Sequence, residues 1–174
     1  MKQQEIFERL HAKHGGAVTD FQAGAKDPWC KVDPARLVEV CRTLRDDPEL
    51  DMKFLENLTG VDYPKTNEIA VVYHFTSYGK RHDFCMKAML DREDPSVETL
   101  SGLWQCARYN ERECYDLLGV IFEGHPDLRR VLLPDDWEGY PLRKDFTEKD
   151  DYHGIPTVRP NPIDLFAIKA KGKA

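Results

Sequence analysis

The 174-residue sequence predicts an α+β fold: a mixed or antiparallel sheet with helices on one face, followed by a long irregular C-terminal arm. Apolar residues recur at helical spacing before residue 50 and again around residue 110, whereas the segment between them alternates with a period of two. From Gly124 onward neither period persists, and this stretch holds six of the eleven prolines. We therefore divide the chain into an α+β globular domain, residues 1–123, and an extended partner-binding arm and tail, residues 124–174.

The first predicted helix is amphipathic and lies between Lys2 and His14. Gly15-Gly16 ends it, because glycine has a low helix propensity. Its apolar face carries Ile6, Phe7 and Leu10. This helix is expected to pack against one edge of the core.

The second predicted helix follows a short strand, Trp29 to Val32. Asp33 is a suitable N-cap and Pro34 a suitable first helical residue. Asp46-Asp47-Pro48 ends the helix. Its apolar face carries Leu37, Val38, Cys41 and Leu44.

The predicted sheet continues with a strand from Lys53 to Tyr63, which Pro64 closes. Two long strands then form a hairpin through the glycine-containing turn Ser77 to Arg81. We expect a further run, Val97 to Leu100, to extend the same sheet. Alternate residues of each hairpin strand share one face of the strand. They are Ile69, Val71, Tyr73 and Phe75 on the first strand and His82, Phe84, Met86, Ala88 and Leu90 on the second.

The third predicted helix contains Glu111 to Leu118, with Gly119 as its C′ residue. Arg112 and Asp116 are four residues apart on this helix, which places them to form an ion pair. The positions that recur near helical spacing are Leu103, Ala107, Asn110 or Glu111, Cys114 and Leu118.

Composition restricts the functional class. The net charge of −6 disfavours nucleic acid as a partner, because an acidic surface repels phosphates. No apolar run approaches the roughly 20 residues that cross a bilayer, and the N-terminal residues lack signal or transit features, which predicts a cytoplasmic bacterial protein. Five cysteines without a C-x-x-C pair are typical of reduced, mostly buried thiols.

The most informative segment runs from Glu111 to Phe146. It contains, in order, Glu-Arg-Glu, Tyr-Asp-Leu, a glycine, Gly-His-Pro-Asp-Leu-Arg-Arg, Leu-Leu-Pro-Asp-Asp-Trp-Glu-Gly and Pro-Leu-Arg-Lys-Asp-Phe. This order resembles the signature of the 30 kDa subunit family, the C subunits of respiratory NADH:quinone oxidoreductase (complex I). The sequence Asn57-Leu-Thr-Gly-Val-Asp-Tyr extends the likeness over roughly residues 30–146. Two departures are mild: Cys114 replaces an apolar residue, and Tyr140 stands where His is frequent.

The resemblance implies a non-catalytic structural or assembly subunit in the peripheral arm of a proton-translocating NADH:quinone oxidoreductase. It implies contacts with the D, B and I subunits and a peripheral position on the cytoplasmic side of the bacterial inner membrane, reached only through the complex. FMN, iron–sulfur clusters and quinone would belong to partner subunits, so this chain would bind no cofactor or metal and carry no catalytic residue. The alternative is the equivalent subunit of a membrane-bound hydrogenase or another quinone-reducing dehydrogenase.

The predicted partner interface lies on the third helix and the arm. Trp137 has no place in a periodic core and is the candidate hot spot, because interfaces draw much of their binding energy from Trp, Tyr and Arg. The basic pairs Arg129-Arg130 and Arg143-Lys144 either grip partner carboxylates or form a solvated face. The full prediction comprises Glu111, Arg112, Glu113, Asp116, His125, Asp127, Arg129, Arg130, Asp135, Asp136, Trp137, Arg143 and Lys144.

The third helix also contains candidates for chemistry. Glu111, Glu113 and Asp116 could form an acid–base or metal site, but Glu111 and Glu113 point to different helix faces, which favours ion pairing. Cys114 beside Arg112 is the candidate nucleophile of a different class, a free-standing thiol enzyme. The sequence shows no general base for Cys114, so the favoured interpretation is that Cys114 is a small core residue.

Histidines provide two further expectations. His11 and His14 have a spacing that can chelate, but zinc needs three or four converging ligands, and no set can be assembled from the sequence. His125 precedes Pro126, which restricts it to an extended conformation. We expect His125 to make a fixed hydrogen bond that orders the arm.

Overall fold

The computed structural model describes residues 1–157, and the part of the predicted tail beyond residue 157 lies outside the described residues. Short 3-10 turns lie at residues 15–17 and 34–36. The helices and strands are α1 Gln3–His14, β1 Val18–Gln22, β2 Trp29–Val32, α2 Leu37–Asp46, β3 Phe54–Tyr63, β4 Glu68–Ser77, β5 His82–Asp91, β6 Ser96–Glu98, α3 Ala107–Leu118, β7 Ile121–Glu123, β8 Asp151–Tyr152 and β9 Ile155–Pro156.

The main sheet has five strands in the order β1-β2-β5-β4-β3. β2 runs parallel to β5, and the other neighbours are antiparallel. The hairpin of β4 and β5 keeps one register from Glu68 opposite Asp91 to Ser77 opposite His82. The predicted mixed sheet and its central hairpin are therefore confirmed.

The core lies on one face of this sheet. The predicted inward residues of β4, Ile69, Val71, Tyr73 and Phe75, are all fully buried. They form a single cluster with apolar residues of all three helices, which confirms that the helices pack on one face. The helical members of the cluster are Ile6 and Leu10 of α1, Leu37, Val40, Cys41 and Leu44 of α2, and Ala107, Cys114 and Leu118 of α3.

The helices end where predicted, but α2 begins at Leu37 and not at the predicted Pro34, because residues 34–36 form a 3-10 turn. Gly15, with φ of 57°, ends α1. The Asp33 carboxylate accepts a hydrogen bond from the backbone N–H of Ala35 at 3.0 Å, so it caps the 3-10 turn that leads into α2. Gly119, with φ of 80°, follows α3 in the left-handed conformation of a C′ residue.

Two parts of the sheet differ from the predictions. The run after Pro95 does not extend the main sheet, because β6 pairs in parallel with β7 as a separate two-stranded sheet. β1 was not predicted, since it is short and its pairing with β2 is interrupted between Thr19 and Gln22, where Asp20 has a φ of 52°. Both features depend on which segments pair with each other. The local spacing of apolar residues does not predict that pairing.

β3 brings the third helix to the sheet. Its alternation is broken near Glu56, where the register shifts between Leu55 and Asn57. At Gly60 the helix approaches the strand closely, because a Cβ there would lie 2.2 Å from Leu118 Cδ1. This contact places the C-terminal half of α3 over the end of β3, where the arm returns.

Candidate functional site

A single buried carboxylate anchors the arm to α3. The Asp116 side chain is fully buried, and its Oδ2 accepts hydrogen bonds from the backbone N–H groups of Val131 at 3.0 Å, Leu132 at 2.7 Å and Leu133 at 2.9 Å. Its Oδ1 accepts from Arg130 Nη1 at 2.8 Å. Burial by itself raises the pKa of Asp116, but these hydrogen bonds outweigh it and hold the pKa below its ordinary value.

The predicted ion pair between Arg112 and Asp116 is wrong. Arg112 instead donates from Nε to the carbonyl oxygen of Arg129 at 3.1 Å and from Nη2 to that of Arg130 at 3.0 Å. The nearest carboxylate to its Nη1 is Asp127, at 3.8 Å. Arg112 and Asp116 therefore each bind groups of the arm, and they do not bind each other.

A second anchor lies at the end of β3. The Asp62 side chain is fully buried and accepts from Arg92 Nε at 2.7 Å and from the backbone N–H of Lys144 at 2.7 Å. Arg92 also contacts Asp145 at 2.5 Å. The hydrogen bond from Arg92, against an opposing effect of burial, lowers the pKa of Asp62. Neither Asp62 nor Arg92 was predicted, because they are far from the arm in sequence.

The arm also closes the C-terminal end of α3. Arg143 Nε donates to the carbonyl oxygen of Leu118 at 2.8 Å, and the backbone N–H of Leu142 donates to that of Leu117 at 3.1 Å. The ring of Tyr140 covers Gly119, where a Cβ would lie 2.6 Å from the ring. The arm thereby satisfies carbonyl groups that a helix end leaves unpaired.

Glu111 and His125 form a buried pair where the arm leaves the domain. Glu111 accepts from the Thr99 hydroxyl and from the backbone N–H of Leu100 at 2.7 Å. The His125 side chain is 1% exposed, and its Nε2 lies 3.9 Å from Glu111 Oε2. Burial raises the pKa of Glu111 to about 7, although its two hydrogen bonds oppose this. Being fully enclosed, Glu111 has an internal role in place of the predicted surface contact.

His125 confirms the predicted ordering hydrogen bond. Its Nδ1 accepts from the backbone N–H of Asp127 at 3.0 Å, which leaves the proton on Nε2. Nε2 in turn lies 3.1 Å from the carbonyl oxygen of Arg108 and donates to it. His125 therefore links the start of the arm to α3.

Trp137 belongs to an aromatic cluster within the arm. Its ring lies 6.4 Å from that of Phe146 and 5.7 Å from that of Tyr152. Asp136 accepts from the Tyr152 hydroxyl at 2.8 Å and lies 2.7 Å from His153 Nε2. Trp137 is half-buried, so part of its ring is open to a partner.

The remaining residues of the predicted interface are open to solvent. Asp127 and Arg129 pair with each other at 3.0 Å, and their side chains are 54% and 72% exposed. The three others that are exposed are Glu113, Asp135 and Lys144. Their role in binding a partner stays a prediction.

The arm also exposes apolar side chains that the prediction left out. Val131 is 40% exposed, Leu142 51% and Leu132 61%. Because the backbone N–H groups of residues 131–133 bind Asp116, two of these side chains are carried on a fixed backbone. We call Val131, Leu132 and Leu142 the apolar arm residues. Their only sequence signal was apolar character without a period.

The chain matches the family model described as "Respiratory-chain NADH dehydrogenase, 30 Kd subunit" over residues 30–152. The chain belongs to this 30 kDa subunit family. It is 53% identical to the NADH-quinone oxidoreductase C subunit of Roseiflexus castenholzii and 49% identical to that of Roseiflexus sp. (strain RS-1), in each case over 80% of this chain and 81% of the relative. Membership makes the chain a subunit of the NADH:quinone oxidoreductase complex.

Two solved structures are similar to this chain. The trypsin-resistant fragment (1-134) of Nqo5 is 31% identical, with a TM-score of 0.61 over 74% of this chain and 100% of the fragment. A chain of the archaeal membrane-bound sulfane sulfur reductase has a TM-score of 0.69 over 100% of this chain and 93% of its own. At 23% identity, that second likeness shows a shared fold.

Cys114, the thiol of the alternative site, lies in surroundings that disfavour a nucleophile. Cys114 is 3% exposed, and burial raises its pKa to about 12, which disfavours the nucleophilic thiolate. Burial likewise raises the pKa of Cys85 to about 11. Cys106 is the exposed cysteine among residues 1–157, and its thiol lies 3.2 Å from the carbonyl oxygen of Leu55.

Alkylation of the folded chain distinguishes these thiols. With iodoacetamide at neutral pH, we expect Cys106 to be modified while Cys114 is protected by burial and by its raised pKa. Peptide mass spectrometry measures both, and alkylation in denaturant supplies the full-reactivity control. Rapid modification of Cys114 in the folded chain would support the thiol-enzyme alternative.

The helical histidines are engaged in hydrogen bonding. His11 Nδ1 lies 2.8 Å from the carbonyl oxygen of Val18, and His14 bridges Glu39 at 3.1 Å and Thr43 at 2.9 Å. In residues 1–157, no group of three or more His, Cys, Asp or Glu side chains converges as metal ligands do. Over the same range, no helix combines the length and apolar character of a membrane span.

Proposed function

We propose that the chain is a non-catalytic structural subunit of the peripheral arm of NADH:quinone oxidoreductase and that its own arm holds neighbouring subunits together. The observation that carries this is the anchoring of the arm by the buried carboxylates Asp116 and Asp62. Anchoring presents the apolar arm residues and Trp137 in one arrangement. A surface that is already ordered loses less conformational freedom on binding.

The proposed partners are the D, B and I subunits, on the cytoplasmic side of the bacterial membrane. FMN, iron–sulfur clusters and quinone are held by other chains, and the NADH:quinone reaction takes place there. Two observations support a role without a cofactor in this chain. The carboxylates of Asp62, Glu111 and Asp116 are all hydrogen-bonded within the chain. Cys114, the thiol considered as a nucleophile, is buried.

Affinity purification tests this function. The tagged chain is isolated from gently solubilised membranes of its host, and everything retained is identified by mass spectrometry. We expect flavin, iron–sulfur and membrane-arm subunits of NADH:quinone oxidoreductase, with the D, B and I subunits in equal amounts. Recovery of hydrogenase subunits would assign the chain to the sister complex, and recovery of a lone chain would contradict the proposal.

Replacing Trp137 by alanine should weaken the hold of the chain on its neighbours. A half-buried tryptophan at an interface typically contributes about 2 kcal/mol or more, which corresponds to roughly a 30-fold loss of affinity. The measurement is the stoichiometry of the purified complex. The fold should be kept, because Trp137 lies in the arm and outside the core cluster.

Tyr78→Ala is the matched control, since Tyr78 is a 62% exposed aromatic residue in the β4–β5 turn. Thermal unfolding of each isolated chain separates lost binding from lost folding. If the Trp137→Ala variant is recovered in full stoichiometry with its neighbours, Trp137 does not contribute to the interface.

A further inference from the structure

A cleft of about 710 Å³ opens within the arm, beside the aromatic cluster. Trp137, Phe146 and Tyr152 line it with their rings. The hydrogen bond from the Tyr152 hydroxyl to Asp136 fixes one wall, and the packing of Phe146 against Gly139 fixes the other, where a Cβ would lie 3.0 Å from the Phe146 ring. The cleft is thus a built feature with aromatic walls.

The lining of the cleft is acidic. Five carboxylates line it, against the two cationic side chains of Arg143 and Lys149. Both cations are engaged, Arg143 with the Leu118 carbonyl and Lys149 with Glu138 at 2.7 Å. The carboxylates of Asp136, Asp145 and Asp151 are engaged as well, with Tyr152 and His153, with Arg92 and with the backbone N–H of Gly154. Among residues 1–157, Glu148 is therefore the cleft carboxylate without a hydrogen-bond or ion-pair partner. The five acidic residues are Asp136, Glu138, Asp145, Glu148 and Asp151.

We propose that this cleft receives an arginine side chain from an extended segment of a neighbouring subunit, an inference that rests on the proposed function. A guanidinium group stacks favourably over Trp and Tyr rings and binds carboxylates with paired hydrogen bonds. The occupant thus meets both the aromatic walls and the carboxylate of Glu148.

Site-specific photo-crosslinking tests the proposal in the intact complex. Thr147, an exposed residue that lines the cleft, is replaced by p-benzoylphenylalanine, the complex is purified and irradiated, and the crosslinked peptides are sequenced by mass spectrometry. We expect one partner peptide with an arginine within a few residues of the crosslink. Crosslinks to residues 158–174 of the chain itself, to a partner peptide without arginine, or to nothing would each overturn the inference. Assembly is scored in the same sample, so a chain that fails to co-purify would instead contradict the proposed function.

A charge reversal gives a second test. Glu148→Lys should reduce retention of the subunit about tenfold at moderate salt, because a rim charge alters the association rate and the salt dependence of binding. Glu49→Lys makes the same change in net charge at an exposed position after α2 and outside the cleft, and should leave retention unchanged. Equal retention of the two variants would overturn the proposed cationic occupant.

Discussion

Replacing Asp116 by asparagine is expected to detach residues 130–133 from α3 and to lower the free energy of unfolding by about 3 kcal/mol. The amide keeps the shape of the side chain, but one neutral oxygen cannot replace a carboxylate that accepts four hydrogen bonds. Arg130, whose side chain is 17% exposed, would lose its ionic partner. Urea unfolding measures the stability, and the rate of tryptic cleavage after Arg129 measures the release of the arm.

Asp135→Asn is the control for Asp116→Asn, because it makes the same chemical change at an exposed position of the arm. It should leave stability and cleavage unchanged. The pKa of Asp116 is lowered in the folded chain, so its contribution is present above its ordinary value of 3.8 and is lost as the pH falls through the folded pKa. The two variants should therefore differ at pH 7 and converge in acid. Equal stability at pH 7 would show that Asp116 does not anchor the arm.

Glu111 should make the chain less stable as the pH rises from 4.5 to 7. Its folded pKa of about 7 lies above the ordinary value of 4.5, so its stabilising effect is complete below pH 4.5 and is lost as the pH approaches 7. Since one pKa unit corresponds to about 1.4 kcal/mol, the loss is about 3 kcal/mol. Glu111→Gln cannot ionise, so its unfolding free energy should lack this component and exceed that of the wild type above pH 7.

Other ionisable side chains lie near Glu111. Tyr73 and Cys114 have pKa values raised by burial, so both stay neutral across the window. The Nε2 atom of His125 also lies 3.9 Å from the Glu111 carboxylate. Glu113→Gln, two residues along and exposed, is the control and should leave the pH profile unchanged. The same slope in Glu111→Gln and wild type would assign the pH dependence to another group.

Much of the domain was predictable because its signals are local. The inward residues of β4 alternate without interruption, and the turn between β4 and β5 contains a glycine, so the strands and their hairpin follow from periodicity. The helix ends at Gly15, Asp33 and Gly119 were also predictable, because at each of them a single residue meets a specific backbone requirement. The ordered motifs between Glu111 and Phe146 were enough to indicate the family.

The candidate site was predictable in its location but not in its connections. Asp116 and Arg112 were both singled out, yet the rule that pairs residues four apart joined them to each other, whereas the arm binds both. Asp62 and Arg92 were missed as anchors. They bind Lys144 and Asp145 across separations of 82 and 53 residues, distances at which sequence spacing carries no geometric information.

The sequence by itself determined the α+β class, the C-terminal ends of the helices, the central hairpin and the family, because these depend on periodicity, capping residues and ordered motifs. The tertiary structure decided the pairing of β6 with β7, the internal roles of Glu111 and Asp116, and the course of the arm over α3. The physical reason is that a buried carboxylate must be satisfied by whatever donors folding brings to it. Here those donors are backbone N–H groups of a segment without regular structure, which leaves no periodic signal in the sequence.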